Sequence, residues 1–119
     1  MLSIHKTING QMTKLDKVED GCWVNLTYPT EDEMSTVTAL LGIDPGFLRA
    51  ALDEEETSRI DTEDGQTLII IDLPSVEKGE AVVYSTLPLG IIVAEKCIIT
   101  VCLKESSIVK DFQDGLVRF

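Results

Sequence analysis

Three apolar stretches, at residues 67–73, 81–94 and 97–103, follow one another through short turns at 77–80 and 95–96. Connections of that length leave no room for a crossover, so the strands they join must run antiparallel. Within them Leu68-Ile69-Ile70-Ile71 and Ile91-Ile92-Val93 do not alternate with polar residues. Strands of this kind are expected to be covered on both faces. A sheet covered twice requires helices, and the first half of the chain supplies them.

Residues 2–8 read as a short strand ended by an Asn9-Gly10 turn, and residues 13–21 read as loop. Residues 22–27 form the next strand, with Cys22, Val24 and Leu26 on one face and Trp23 and Asn25 on the other. Thr30 and Glu33 have capping-box spacing, Met34, Val37 and Leu41 form a helical stripe, and Gly42 stands where a left-handed stop belongs. Asp44 and Pro45 open a second helix, whose buried side is Leu48, Ala51 and Leu52. Residues 58–62 return as a strand through Ile60, and Glu63-Asp64-Gly65 is a hairpin turn. Residues 106–119 have helical spacing through Ile108, Val109, Phe112 and Leu116. The apolar end of that segment suggests a chain cut at or within a longer helix, and Gly115 suggests a turn instead. Two helices between strands imply a crossover, and the later strands form a meander. The expected fold class is α/β: one domain, residues 1–119, with a mixed parallel and antiparallel sheet covered by helices on both faces.

Length and charge narrow the function. A chain of 119 residues is one domain. Its net charge of −11 and pI near 4.3 weigh against nucleic acid and anionic membrane surfaces as partners, and favour a cation or a basic protein surface. No secretory signal opens the chain, and the longest apolar stretch, 87–94, is interrupted by Pro88 and Gly90, far short of the roughly 20 residues of a membrane span. The expectation is a soluble chain. Cys22, Cys97 and Cys102 are odd in number and lack C-x-x-C spacing, so reduced buried thiols are expected. His5 is the only histidine and reads as a solvent-facing strand residue. Trp23 reads as a core anchor and Met34 as core. No nucleophile elbow, phosphate loop or dinucleotide turn occurs, so an enzyme is not expected.

The one constellation with chemistry in it is acidic. Residues 53–64 hold Asp53, Glu54, Glu55, Glu56, Asp61, Glu63 and Asp64 against Arg59 alone. If the second helix continued, Asp53 and Glu56 would share a face. Carboxylate oxygens are the ligands that Mg²⁺ and Ca²⁺ select, although EF-hand spacing is absent. Read as a surface run, the same residues are a solvated flank of the helix.

Several blocks of the chain together resemble a known family. Trp23-Val24-Asn25-Leu26-Thr27 with Pro29-Thr30-Glu31 is similar to the early strand-to-helix motif of the CorA-type magnesium transporters. Ile43-Asp44-Pro45, Leu48 and Ala51-Leu52-Asp53-Glu54-Glu55-Glu56 with Arg59-Ile60 resemble the next block. Leu87-Pro88-Leu89-Gly90-Ile91-Ile92-Val93 with Ile98-Ile99-Thr100-Val101 is similar to the third, and the three stand in family order over 22–103. The resemblance implies a cytoplasmic α/β/α regulatory domain at the inner face of the cell membrane. It implies that membrane contact is made through pore helices and a Gly-Met-Asn motif, neither of which this chain contains. It also implies a homopentamer, transport of Mg²⁺ or of Co²⁺, Ni²⁺ or Zn²⁺, and a divalent cation such as Mg²⁺ as regulatory ligand. On this reading Asp53, Glu54, Glu55 and Glu56 are the candidate metal residues. Two places depart from the pattern: Arg49 and Ala50 stand where some members carry acids, and Ser58 where a proline is common. The rival readings are a stand-alone acidic interaction domain without catalysis and, on the acid run alone, a Mg²⁺-dependent phosphate-ester hydrolase.

Overall fold

A computed structural model describes residues 1–53, 58–78 and 82–115. The elements run β1 (Leu2–Ile8), β2 (Gln11–Leu15), β3 (Cys22–Thr27), α1 (Glu31–Leu41), α2 (Pro45–Ala51), β4 (Arg59–Glu63), β5 (Gln66–Lys78), β6 (Val82–Val93), β7 (Cys97–Cys102) and α3 (Ser107–Gln113). The strands form one mixed sheet in the order β2-β1-β3-β7-β6-β5-β4. From β3 the chain crosses through α1 and α2 to the far edge at β4. It then meanders back until β7 lies parallel to β3, and every other neighbouring pair is antiparallel.

The local signals act as physical chemistry requires. Thr30 accepts from the Glu33 N–H at 3.1 Å while Glu33 accepts from the Thr30 N–H at 2.9 Å, so α1 starts with both orphan donors satisfied. Gly42 (φ 64°) ends it, and Asp44 caps Gly46 at 2.8 Å with Pro45 in the first turn of α2. Asn9-Gly10 and Asp64-Gly65 close their hairpins with both central residues at positive φ, which matches the right-handed twist of the strands.

Register divides the sheet into two faces. On one lie Leu2, Ile4, Cys22, Val24, Leu26, Cys97, Ile99, Val101, Ile92, Leu68 and Ile70. Val37 of α1, Ile43, and Phe47, Leu48 and Ala51 of α2 close over them. Gly90 makes the contact possible: a Cβ there would sit 2.3 Å from the Ala51 Cβ. The opposite face carries α3. Val109 and Ile108 pack with Trp23, Leu73, Leu87, Leu89, Ile91, Cys102 and Leu103.

The structure corrects three expectations. Residues 11–15, read mostly as loop, are the edge strand β2. Its Asn-Gly turn was legible, but the strand is polar and lacks a period-2 apolar pattern. The non-alternating runs of β5 and β6 are not covered on both faces. Leu68, Ile70 and Ile92 are buried, whereas Ile71 and Val93 are exposed and Ile69 and Ile91 half-buried, because the seven residues of α3 reach only part of that face. β5 extends beyond residue 73 to Lys78. It pairs there with β6, beyond the described ends of β4 and β7. The last helix stops at Gln113 with Gly115 at φ 70°, as the turn reading anticipates. Residues 116–119 lie outside the described residues.

Candidate functional site

The acidic run begins where α2 runs out. Leu52 caps the helix, and the Asp53 N–H donates to the Ala50 carbonyl at 3.2 Å. α2 therefore closes at Ala51, ahead of Asp53. Asp53 is exposed, and Glu54, Glu55 and Glu56 lie outside the described residues. Asp61 and Glu63 follow on the β4 edge, exposed, with register placing them on the α2 side of the sheet, and Asp64 occupies the turn. Gln66 ties this end of the sheet to the helices. Its side-chain oxygen accepts from the Asp44 N–H at 3.1 Å and its amide donates to the Gly42 carbonyl at 2.6 Å. Among the described residues no three His, Cys, Asp or Glu side chains converge as metal ligands.

A second polar constellation escaped sequence reasoning. Trp23 Nε1 donates to Thr100 Oγ1 at 2.7 Å, Thr100 donates to Asn25 Oδ1 at 2.7 Å, and Asn25 Nδ2 donates to Thr27 Oγ1 at 3.0 Å. His5 belongs beside this chain and does not face solvent, which corrects the sequence expectation. It is buried, its ring lies 5.2 Å from that of Trp23, and Nε2 is 3.0 Å from Ser3 Oγ, which also accepts from Gln113 of α3 at 3.3 Å. Burial holds the imidazole below its ordinary pKa. Lys14, directly opposite on β2, pushes the same way, and Asp114 beyond α3 opposes them. The available signal was parity: Ser3, His5, Trp23, Asn25 and Thr100 all fall on the α3 face once the strands are paired. No described buried side-chain donor or acceptor is left unpaired.

The network joins β3 to β7 through side chains. A cleft of about 770 Å³ beside α3 is lined by Met1, Thr27, Leu87, Glu105, Lys110 and Asp114 among others, and among the described residues none of the side chains with a shifted pKa lines it. Cys22 and Cys97 face each other across β3 and β7, and with Cys102 they are buried and free. Burial pushes the Cys97 and Cys102 thiols up, toward the inert neutral form.

Comparison with known proteins places the chain. A family model described as CorA-like Mg²⁺ transporter protein matches residues 18–117. The complete CorA magnesium transporter of Methanocaldococcus jannaschii shares the fold, with a TM-score of 0.78 and 19% identity over 100% of this chain and 39% of that one. The soluble domain of the same CorA gives a TM-score of 0.77 and 21% identity over 98% and 46%. The ZntB cytoplasmic domain of Vibrio parahaemolyticus gives 0.70 and 12% over 96% and 48%. The chain thus spans less than half the length of these relatives. No curated protein matches it. Among the described residues no helix is long and apolar enough to cross a membrane.

Proposed function

This chain belongs to the CorA-like Mg²⁺ transporter family, and from that premise we propose that it is the cytoplasmic, divalent-cation-responsive domain of such a transporter. The carrying observation is the family match over residues 18–117, joined to a fold that aligns along its whole length with part of a complete magnesium transporter. The family is one of transporters, not of enzymes.

The response resides in the acidic run. Asp53, Glu54, Glu55 and Glu56, which follow α2 in the sequence, offer hard oxygen ligands, and a net charge of −11 draws cations toward them. The physical logic is that of a charge-relieved contact. Carboxylates gathered at a boundary between copies repel, a divalent ion offsets the repulsion, and the concentration of the ion then sets the population of the closed arrangement. In this reading the copies form a homopentamer at the cytoplasmic face of the membrane, and the regulatory ion is Mg²⁺ or a neighbouring divalent cation such as Co²⁺, Ni²⁺ or Zn²⁺.

Titration of MgCl₂ into the chain at constant ionic strength, followed by calorimetry or NMR, tests the assignment. A saturable response is expected, lost in the Asp53→Ala/Glu56→Ala variant. The same response in both proteins would remove these residues from sensing and leave the family assignment standing.

A further inference from the structure

We propose that β4 is a self-pairing edge: two copies of this chain join their β4 strands antiparallel about a two-fold axis through Ile60, extending the sheet across the pair. β4 ends the seven-stranded sheet, with β5 as its one neighbour in the strand order, and all five of its residues are exposed. An open edge carries a row of backbone N–H and C=O groups, a template for another strand. Natural edges are usually protected by charge, proline or a bulge. Here Arg59, Asp61 and Glu63 put charge on the edge, but its centre is Ile60, 74% exposed.

The strand is complementary to itself in that register. With the axis at Ile60, the two isoleucines oppose each other, Arg59 opposes Asp61 twice and Ser58 opposes Thr62 twice. An axis at Arg59 or at Asp61 instead sets like charges face to face, an arrangement that destabilises directly opposed pairs. Arg59 also interacts within its own chain, so the cross-strand pairing adds to an existing contact.

The sheet face next to the edge supplies the second observation. Register puts Ile60, Ile69 and Ile91 in one cross-strand row, and Ile71, Val93 and Ile98 lie on the same face. Of these, Ile60, Ile71, Val93 and Ile98 are exposed. A two-fold axis perpendicular to the sheet keeps this face on the same side in both copies. The two patches therefore merge, and the most exposed isoleucine comes to their centre.

A five-residue strand buries far less than the roughly 1,000 Å² of a stable interface, and two chains of net charge −11 repel. The pair is thus reversible and favoured by salt that screens the repulsion. It is independent of a five-fold ring, in which two different surfaces meet; here one surface meets itself. The proposal does not depend on the transport reading.

Sedimentation velocity and light scattering of the 119-residue chain in about 150 mM NaCl, from about 10 µM to about 1 mM, read the equilibrium. The expected result is a dimer fraction that rises with concentration. Ile60→Lys should remain monomeric throughout with an unchanged circular dichroism spectrum. Arg59→Asp and Asp61→Arg should each weaken association on the order of tenfold, and the double swap should restore it. In Ile60→Cys, oxidised glutathione should join two chains: two thiols become one disulfide and the glutathione disulfide becomes two thiols. The opposed Cα atoms, about 4.5–5.5 Å apart, lie within disulfide range. The wild type, whose three cysteines are buried, should stay uncross-linked. A wild type that is monomeric at every concentration overturns the proposal. So does Ile60→Lys associating like the wild type, or a dimer that Ile60→Cys fails to cross-link.

Discussion

The two faces of the sheet are held by different physics. Under α1 and α2, every strand except β4 contributes apolar side chains to a closed layer in which Leu26, Leu68, Ala51, Ile92, Ile99 and Val101 are wholly buried. Under α3 the layer is mixed. Leu89 and Val109 pack beside a hydrogen-bonded line of Trp23, Thr100, Asn25 and Thr27, and the face ends in uncovered isoleucines. Close packing is intolerant of added volume, whereas a polar line is intolerant of lost partners. Each face therefore has a characteristic way to fail, and perturbing one should leave the other's signature intact.

The largest effect is expected at the helix-covered face. Gly90→Ala drives a Cβ into Ala51, so α2 must lift, at a cost of about 3 kcal/mol. Urea unfolding should show it, and adding Ala51→Gly should recover part of the loss. Thr100→Val comes next. It keeps the shape but strands Trp23 Nε1 and Asn25 Oδ1, costing about 2 kcal/mol. Unfolding followed by the fluorescence of Trp23, the single tryptophan, measures both stability and the change around the indole. If Thr100→Val proved neutral, the α3 face would be apolar packing after all. Thr30→Ala, which removes the acceptor for the Glu33 N–H at the start of α1, should cost about 1 kcal/mol.

The smallest effect is a pH slope. His5 has a folded pKa below its ordinary value of 6.5, chiefly through burial. Below pH 6.5 the unfolded chain takes up a proton that the folded chain resists. The contribution of His5 is therefore complete above that pH and is lost as the pH falls toward the folded pKa. Stability at about pH 5.5 should be lower than at about pH 7.5, and His5→Gln should flatten the difference. Glu33 adds a separate acid limb. The Thr30 backbone N–H holds its carboxylate below the usual range, and the stability this brings is lost at lower pH, as Glu33 protonates.

What was legible in the chain was local. Thr30 with Glu33, Gly42, Asp44 with Pro45 and Asp64-Gly65 each satisfy or free a few backbone groups within a turn, and each stands where spacing put it. The mixed sheet followed from the short connections after residue 66 and the two-helix crossover between β3 and β4. Burial of His5 was not legible, because it depends on Trp23 lying opposite it and on α3 arriving from the other end of the chain. Nor was the open half of the second face. An isoleucine run has one appearance whether one side or both are covered, and only the length of α3 decides. The acid run lies between these cases: its composition is plain, α2 closes at Ala51 ahead of it, and Glu54, Glu55 and Glu56 lie outside the described residues.

Hydrogen–deuterium exchange of the chain in MgCl₂, against EDTA at matched ionic strength, tests the central claim most directly. The account predicts slower exchange confined to peptides spanning residues 50–66, where the acid run leaves α2 and enters β4. Exchange unchanged in that segment, or slowed evenly along the chain, would contradict it.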